Sequence, residues 1–418
     1  MSSRLRSFLS RAWPCVLLAG VCAAADDGAS PIFSGIELVE SVPEETVYGS
    51  AHTRRPSDVW PEMIKGARKT LELEQFYIND RGAMRPVLEA VEAAARRGVA
   101  VRVIVDSKFY KKNNAAPDWL AKVPGIEVRV LTMSPGVQHA KFFIVDGREV
   151  FVGSQNMDGL ALTQIHELGI RIGHEAMARS FLDVFELDWG KAGGGAQAPP
   201  VFAARPLNAS NPAVVAGAAM YPAFSPVGQL PPGYDSEIDA LYALLRGARK
   251  TVDIQVMNYG VSVHGGSDTW IDLNEEIKAA AGRGVRVRLA VADWSFAKKV
   301  DAENLERLST TSNVSVKYTK IPRGSGGFVP FSRVDHCKYM VVDQNTSWIS
   351  TSNWQKDYFF SSRDATVVLE SPEVARVLEG VFDATWNGPY AREVAPAMSM
   401  EPPEMGSPND AAPKPAAP

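Results

Sequence analysis

"AAARRGVAVRVIVD", Ala93 to Asp106, returns further along the chain as "AAAGRGVRVRLAVAD", Ala279 to Asp293. Each copy reads as the end of an amphipathic helix, a glycine where the helix must stop, and a strand of alternating valine and arginine. A second pair lies upstream of these: "KGARKTLELEQFYI" (Lys65 to Ile78) and "RGARKTVDIQVMNY" (Arg246 to Tyr259), each a helix end followed by a β-rich run. The chain is written twice. Strand, helix, strand in each half predicts an α/β fold of two duplicated halves, each with a mixed β-sheet flanked by helices and joined by right-handed crossovers.

A third repeat carries polar groups. "VQHAKFFIVDGREVFVGSQNMD" (Val137 to Asp158) holds His139, Lys141 and Asp146 in an apolar run and closes on Gly153-Ser154-x-Asn156. The second half has His336, Lys338, Asp343, then Ser350-Thr351-x-Asn353 at the same spacing. A further acid follows each asparagine by 11 positions, Glu167 and Asp364. One such set reads as a satisfied core histidine; two sets at identical spacing read as one site. Residues i and i+2 of a strand share a face, so His139 projects with Lys141, and His336 with Lys338, while Cys337 turns into the core.

Two histidines, two lysines and two asparagines across a pseudo-twofold axis make a donor-rich pocket suited to a tetrahedral anion. One imidazole can attack phosphorus and the other protonate the leaving oxygen. A lysine beside each histidine repels a metal ion, so neither metal nor cofactor is expected. Asp146 and Asp343, at strand ends, read as turn-forming carboxylates. Glu167 and Asp364 are placed to orient a histidine through its other ring nitrogen. Ser154 and Thr351 contact phosphate or hold the turn.

Composition sets the frame. The 418 residues are 45% hydrophobic and 22% charged, the balance of a soluble globular protein. Arg4, Arg6 and Arg11 precede an apolar run ending near Val21, and Ala23-Ala24-Ala25 offers a small-residue cleavage site, so residues 1–25 read as a signal for export to the periplasm or beyond. Those residues hold three arginines and no acid, so cleavage takes the formal charge from −4 to −7; the mature chain lacks the overall basic footprint of a protein that grips long nucleic acid. Cys15 and Cys22 leave with the signal, and Cys337 alone forms no intramolecular disulfide. The expected division is an N-terminal half over 26–190, a Gly/Pro-rich connection over 191–233 with little periodicity, read as a covering loop or a flexible crossover, a C-terminal half over 234–395 and a disordered tail over 396–418.

The paired H-x-K-x4-D-x6-G-S-x-N blocks resemble the signature of the phospholipase D superfamily, over nearly all of the mature chain. The flanks "GSQNMDGLALTQIHELGI", "RVDHCKYMVVD" and "TSNWQKDYF", with "DTWIDLNEEIKAAAGRGVRVRLAVADW" (Asp268 to Trp294), are similar to the branch of lysosomal phospholipase D-like exonucleases and poxvirus envelope phospholipases. The resemblance implies two α/β halves with the site at their interface, no metal, and a covalent phosphohistidine intermediate. It implies His139 as nucleophile, His336 as the acid for the leaving group, and Lys141, Lys338, Asn156 and Asn353 as holders of the phosphoryl oxygens. Ser350 stands where the pattern prefers glycine, and Asp364 has no clear match in it.

Other residues receive plain readings. His166 lacks a second histidine at zinc-motif spacing and reads as a surface or supporting residue; His52, His174 and His264 read as loop or surface groups. "HGGSD" (His264 to Asp268) reads as a rim loop. Trp270, Trp294, Trp354 and Trp386 read as core, Trp354 bordering the substrate. The functional expectation is a phosphodiesterase acting on a phospholipid head group, with a 5' exonuclease on single-stranded nucleic acid as the alternative. Transfer to an alcohol and a binding protein with a retired site follow behind. Both half-sites lie in one chain, so a monomer without an obligatory protein partner is expected.

Overall fold

The computed structural model describes residues 35–193, 200–263, 268–396, 403 and 405–406. The signal segment, His264 with most of its rim loop and nearly all of the tail lie outside these residues.

The strands in chain order are β1 (Ile36–Ser41), β2 (Thr70–Gln75), β3 (Ala100–Asp106), β4 (Ile126–Leu131), β5 (Lys141–Val145), β6 (Glu149–Gly153), β7 (Glu167–Ile172), β8 (Ala213–Val215), β9 (Ala218–Ser225), β10 (Asp235–Ser236), β11 (Thr251–Val256), β12 (Arg286–Ala292), β13 (Val314–Thr319), β14 (Lys338–Val342), β15 (Thr346–Ser350), β16 (Asp364–Glu370) and β17 (Ala391–Glu393). The first sheet has the order β1-β7-β6-β5-β2-β3-β4. Its β2, β3 and β4 run parallel, and the other pairings are antiparallel. The second repeats it as β9-β16-β15-β14-β11-β12-β13, with β8, β10 and β17 added at its edges. Both sheets are mixed, as the repeat predicts.

The repeated helix stops hold. Gly98 (φ +93°) and Gly284 (φ +90°) end the helices Arg85–Arg96 and Asp272–Gly282 in the left-handed conformation, which a side chain would strain. Each turn then feeds the Val/Arg strand that pairs parallel to its predecessor.

Helices Glu175–Ala192 and Pro372–Trp386 belong to a core shared by both sheets. The Phe181 ring meets Phe142 of the first sheet at 5.2 Å and Phe224 of the second at 5.3 Å. Burying such a ring is worth roughly 1.5–3 kcal/mol, so the halves are joined by a continuous core. His174 begins the first of these helices, its Nδ1 accepting from the Met177 amide at 3.4 Å. The outer faces carry separate cores under helices Pro56–Gly66 and Arg85–Arg96, and under Glu237–Gly247, Asp272–Gly282 and Lys299–Ser309. Among the described residues no helix is long and apolar enough to cross a membrane.

The stretch 191–233 corrects one expectation. It contains β8 and β9, and β9 pairs with β16 along its whole length, Ala219 to Ser225 against Glu370 to Asp364. It is the counterpart of β1. Pro222 and a run of alanines in "AAMYPAFS" hide the strand alternation, and Pro222 is accommodated there against the prior that keeps proline off paired strands.

Candidate active site

His139 and His336 each lie two residues before a strand start, at Lys141 of β5 and Lys338 of β14. These strands run antiparallel to β2 and β11, with Lys141 opposite Gln75 and Lys338 opposite Val256. Both histidines therefore stand at the carboxyl edge of parallel strands, where α/β folds gather ligands.

The two sets cross. His139 Nδ1 lies 2.7 Å from Asp364 Oδ1 of the other half, and His336 Nδ1 bonds Glu167 Oε1 of the first. Backbone bonds follow the same crossing, His139 N donating to Arg363 O at 2.8 Å and His336 N to His166 O at 2.7 Å. Lys141 donates from Nζ to the carbonyl of His139, and Lys338 to that of His336 at 2.6 Å. All six of His139, Lys141, Asn156, His336, Lys338 and Asn353 are buried. Asn353 accepts from the Asn258 amide at 3.2 Å, while its Nδ2 and Asn156 Oδ1 are buried with no hydrogen-bond partner among the described residues.

Burial shapes the electrostatics. It pushes both imidazoles well below their ordinary pKa, and the two lysine ammoniums add to the effect. Burial likewise depresses Lys141, and brings Lys338 down to about 7. Asp364 is raised by burial to about 7 despite the lysines, and Glu167 is raised by burial too. An anion among these cations offsets their mutual repulsion and restores their protons. Among the described residues no group of three or more His, Cys, Asp or Glu is placed to hold a metal ion.

A family model described as "Cardiolipin synthase, PLD-like domain" matches residues 61–189 and 241–386, the two stretches that carry these crossed sets. The chain belongs to the phospholipase D superfamily. It is a phospholipase D-like hydrolase. It is similar to Phospholipase D Z of Dictyostelium discoideum, 29% identical over 388 residues that cover 85% of this chain and 90% of the relative. It is also similar to the 5'-3' exonuclease PLD3 of Rattus norvegicus, 30% identical over 396 residues, covering 85% and 80%. The fold resembles that of phosphatidylserine synthase from Haemophilus influenzae, with a TM-score of 0.59 at 14% identity over 81% of this chain and 85% of the other.

The remaining motif residues of this phospholipase D-like chain serve the frame. Asp146 and Asp343 sit at the far ends of β5 and β14 with φ +53° each. The Asp146 carboxylate takes the amides of Arg68, Lys69 and Thr70, and Asp343 those of Arg249, Lys250 and Thr251. Ser154 Oγ exchanges bonds with the Leu168 backbone, and Thr351 Oγ1 donates to Asp364 Oδ1 at 2.6 Å. Cys337 is buried, as are Trp270, Trp354 and Trp386, while Trp294 is partly so.

Ser350, the departure from glycine, donates to Glu237, which also takes Ser352 Oγ at 2.6 Å and Thr366 Oγ1. Burial keeps Glu237 protonated up to about 8. At Gly153 a Cβ would collide with the Gln155 side chain and the Gly169 backbone. Glycine is needed where Gln155 folds back and Gly169 comes close; in the second half Ser352 and Thr366 stand at those positions.

Sequence reasoning missed Glu237 and the rings beside His139. Phe76 and Tyr358 approach that imidazole edge-on at 4.8 and 4.9 Å, and Phe109 and Tyr77 pack beyond Phe76. Phe76 and Tyr77 are signalled by "FYIND", Phe76 to Asp80, which follows β2 at the carboxyl edge. His166 is not on the surface but wholly buried behind Glu167.

Proposed function

We propose that this protein is a metal-independent phosphodiesterase working through a covalent phosphohistidine. The crossed histidine–carboxylate pairs support this reading most directly. With Nδ1 committed to Asp364, His139 presents Nε2 to phosphorus as a neutral nucleophile; the P–N bond forms as the P–O bond to the leaving group breaks. His336 gives its proton to the departing oxygen and then takes one from the water that cleaves P–N, returning His139. Lys141, Lys338, Asn156 and Asn353 hold the non-bridging oxygens, and Asp364 and Glu167 stabilise each imidazolium.

The substrate is a phosphodiester, with a phospholipid head group as the first reading; the relative named phospholipase D that matches along most of its length supports it. The second reading is the end of a single-stranded nucleic acid, favoured by the ring cluster beside His139 and by the relatives named 5'-3' exonuclease, since bases stack on aromatic rings without regard to sequence. Export directed by residues 1–25 and a monomeric state belong to the same proposal.

Incubating the mature protein with EDTA against phosphatidylcholine vesicles and against a 5'-hydroxyl single-stranded oligonucleotide tests it. Release of choline supports the first reading and of nucleotides the second. Activity on neither, or activity abolished by the chelator, overturns the proposal.

A further inference from the structure

The residue just before each crossed carboxylate is a buried cation or a base between acids, and the partners of the two differ at every position. Arg363 precedes Asp364. It is fully buried, clamps Asp188 through Nε at 2.5 Å and Nη2 at 2.9 Å, and reaches the carbonyls of Ser225 and Gln229. His166 precedes Glu167 and is as fully buried. Its Nδ1 bonds Asp335, its Nε2 lies 3.0 Å from Glu40 Oε1, and its ring stacks on Tyr48 at 4.2 Å and 11°. Tyr48 in turn donates to the other oxygen of Asp335 at 2.7 Å.

The duplication makes the comparison exact in position. Through the repeated motif and the registers of the two sheets, Asp335 corresponds to Gln138, Glu40 to Phe224 and Glu74 to Gln255, and by position in the paired helices Asp188 corresponds to Thr385. Gln138 donates to Glu74 at 3.2 Å where Gln255 donates to Asp335 at 3.4 Å, so acid and amide have traded places. Each acid moved, yet both halves keep a nitrogen-rich side chain facing carboxylates at this point. Ionised carboxylates only accept hydrogen bonds, so an imidazole that bonds Asp335 and Glu40 at once carries a proton on both nitrogens.

We propose that His166, as an imidazolium, is a positioning residue for His336, matching Arg363 in its action on His139. It acts through the chain. His166 O receives the amide of His336, the next residue supplies Glu167, and Asp335 directly precedes His336. Clamping Asp335 therefore fixes both the acid and the backbone that aim the imidazole. The difference from Arg363 is that His166 can lose its charge. Its pKa stands well above the ordinary value: burial works against the charge, and the neighbouring Cys337 and then Asp335 favour it. The groups facing it are Glu40 from β1, Tyr48 from the following loop, Glu167 next to it in β7, and Asp335, Cys337 and Tyr339 from the approach to β14 and β14 itself, with Asp293 beyond Asp335. A raised histidine pKa gives order that is complete in acid and lost as pH rises through the folded value.

This inference rests on the phosphodiesterase reading for its kinetics but not for its charge state. The ring nitrogens of His166 in the wild-type protein, followed by 15N NMR, are predicted to stay protonated on both positions at neutral pH; a singly protonated ring there overturns the inference whatever the enzyme does. His166→Gln and His166→Lys are then compared on bis(4-nitrophenyl) phosphate, with thermal melts to show folding. His166→Gln should lower kcat by about 100-fold with KM little changed, the scale of a misaimed catalytic group. His166→Lys should recover most of kcat and carry the alkaline loss of kcat to higher pH. kcat is followed because bound phosphate restores the protons of the two lysines. If His166→Gln keeps wild-type kcat, or a folded His166→Lys loses it while the alkaline limb stays put, charge at this position does not aim His336. If wild-type protein cleaves no phosphodiester, the functional reading fails while the NMR result still decides the charge.

Discussion

Asp364 lies 2.7 Å from His139 Nδ1 although 225 residues separate them in the chain. Neither His139 nor His336 draws its carboxylate from its own half. The crossed pairs are thus a property of the interface between the halves, where both sheets share the core around Phe181.

The crossing predicts a kinetic split. Asp364→Asn should slow formation of the covalent intermediate at His139, and Glu167→Gln should slow its hydrolysis, which needs His336. Each should lower the affected step by about 10²- to 10⁴-fold, the range spanned by acid–base groups and the carboxylates that orient them. Bis(4-nitrophenyl) phosphate separates the steps, because nitrophenolate leaves without an acid. A Glu167→Gln variant that loses the burst but keeps its later rate would reverse the assignment.

Lys338 sets a pH dependence. Its pKa is lowered by burial to about 7, so the free enzyme loses that positive charge as pH rises through about 7. kcat/KM reports groups of the free enzyme and should fall on that alkaline side, chiefly through KM. Lys338→Arg, whose charge persists, should shift the fall upward. A profile flat well into the alkaline range contradicts this electrostatic role.

Asp146 tests frame against chemistry. Its carboxylate gathers three amides at the end of β5 remote from His139, and burial, which opposes its charge, is outweighed by them, holding its pKa below the usual value. Asp146→Ala should cost about 1.5–3 kcal/mol by urea unfolding, the range for hydrogen bonds to a charged group, and add strain at its positive φ. Asp146→Asn, which tolerates that conformation, should lose less. Both should keep kcat per folded molecule; a folded variant without turnover would return Asp146 to the chemistry.

The glycine position distinguishes the halves. Ser350→Gly removes one of three hydroxyls from Glu237 and should cost about 1 kcal/mol, with turnover close to wild type. Gly153→Ser should be far worse, since a Cβ there collides with Gln155 and Gly169. Equal melting temperatures for the two variants would refute the account of why Ser350 is allowed.

Much of this was legible because duplication repeats both spacing and periodicity: the helix–glycine–strand units and the two His-Lys-Asn sets could be read without coordinates. The partner of each histidine could not. Glu167 follows Asn156, and Asp364 follows Asn353, at equal spacing, and nothing in a linear pattern shows that each serves the other half. His166 was left between a surface and a supporting residue for a related reason: it has no metal-motif partner in sequence, and its acids, Glu40 and Asp335, lie on distant segments. β9 escaped notice because proline and alanines erased its alternation, although its partner β16 was readable.

The central claim is that His139 carries the phosphoryl group. In His336→Ala, bis(4-nitrophenyl) phosphate still has a leaving group that departs unaided, but no base remains to activate water against the P–N bond. Rapid acid-free quenching and peptide mass spectrometry should then find a 4-nitrophenyl phosphoryl adduct on the peptide containing His139, with a stoichiometric burst of nitrophenolate. No adduct despite the burst, or an adduct mapped to another residue, would contradict the mechanism.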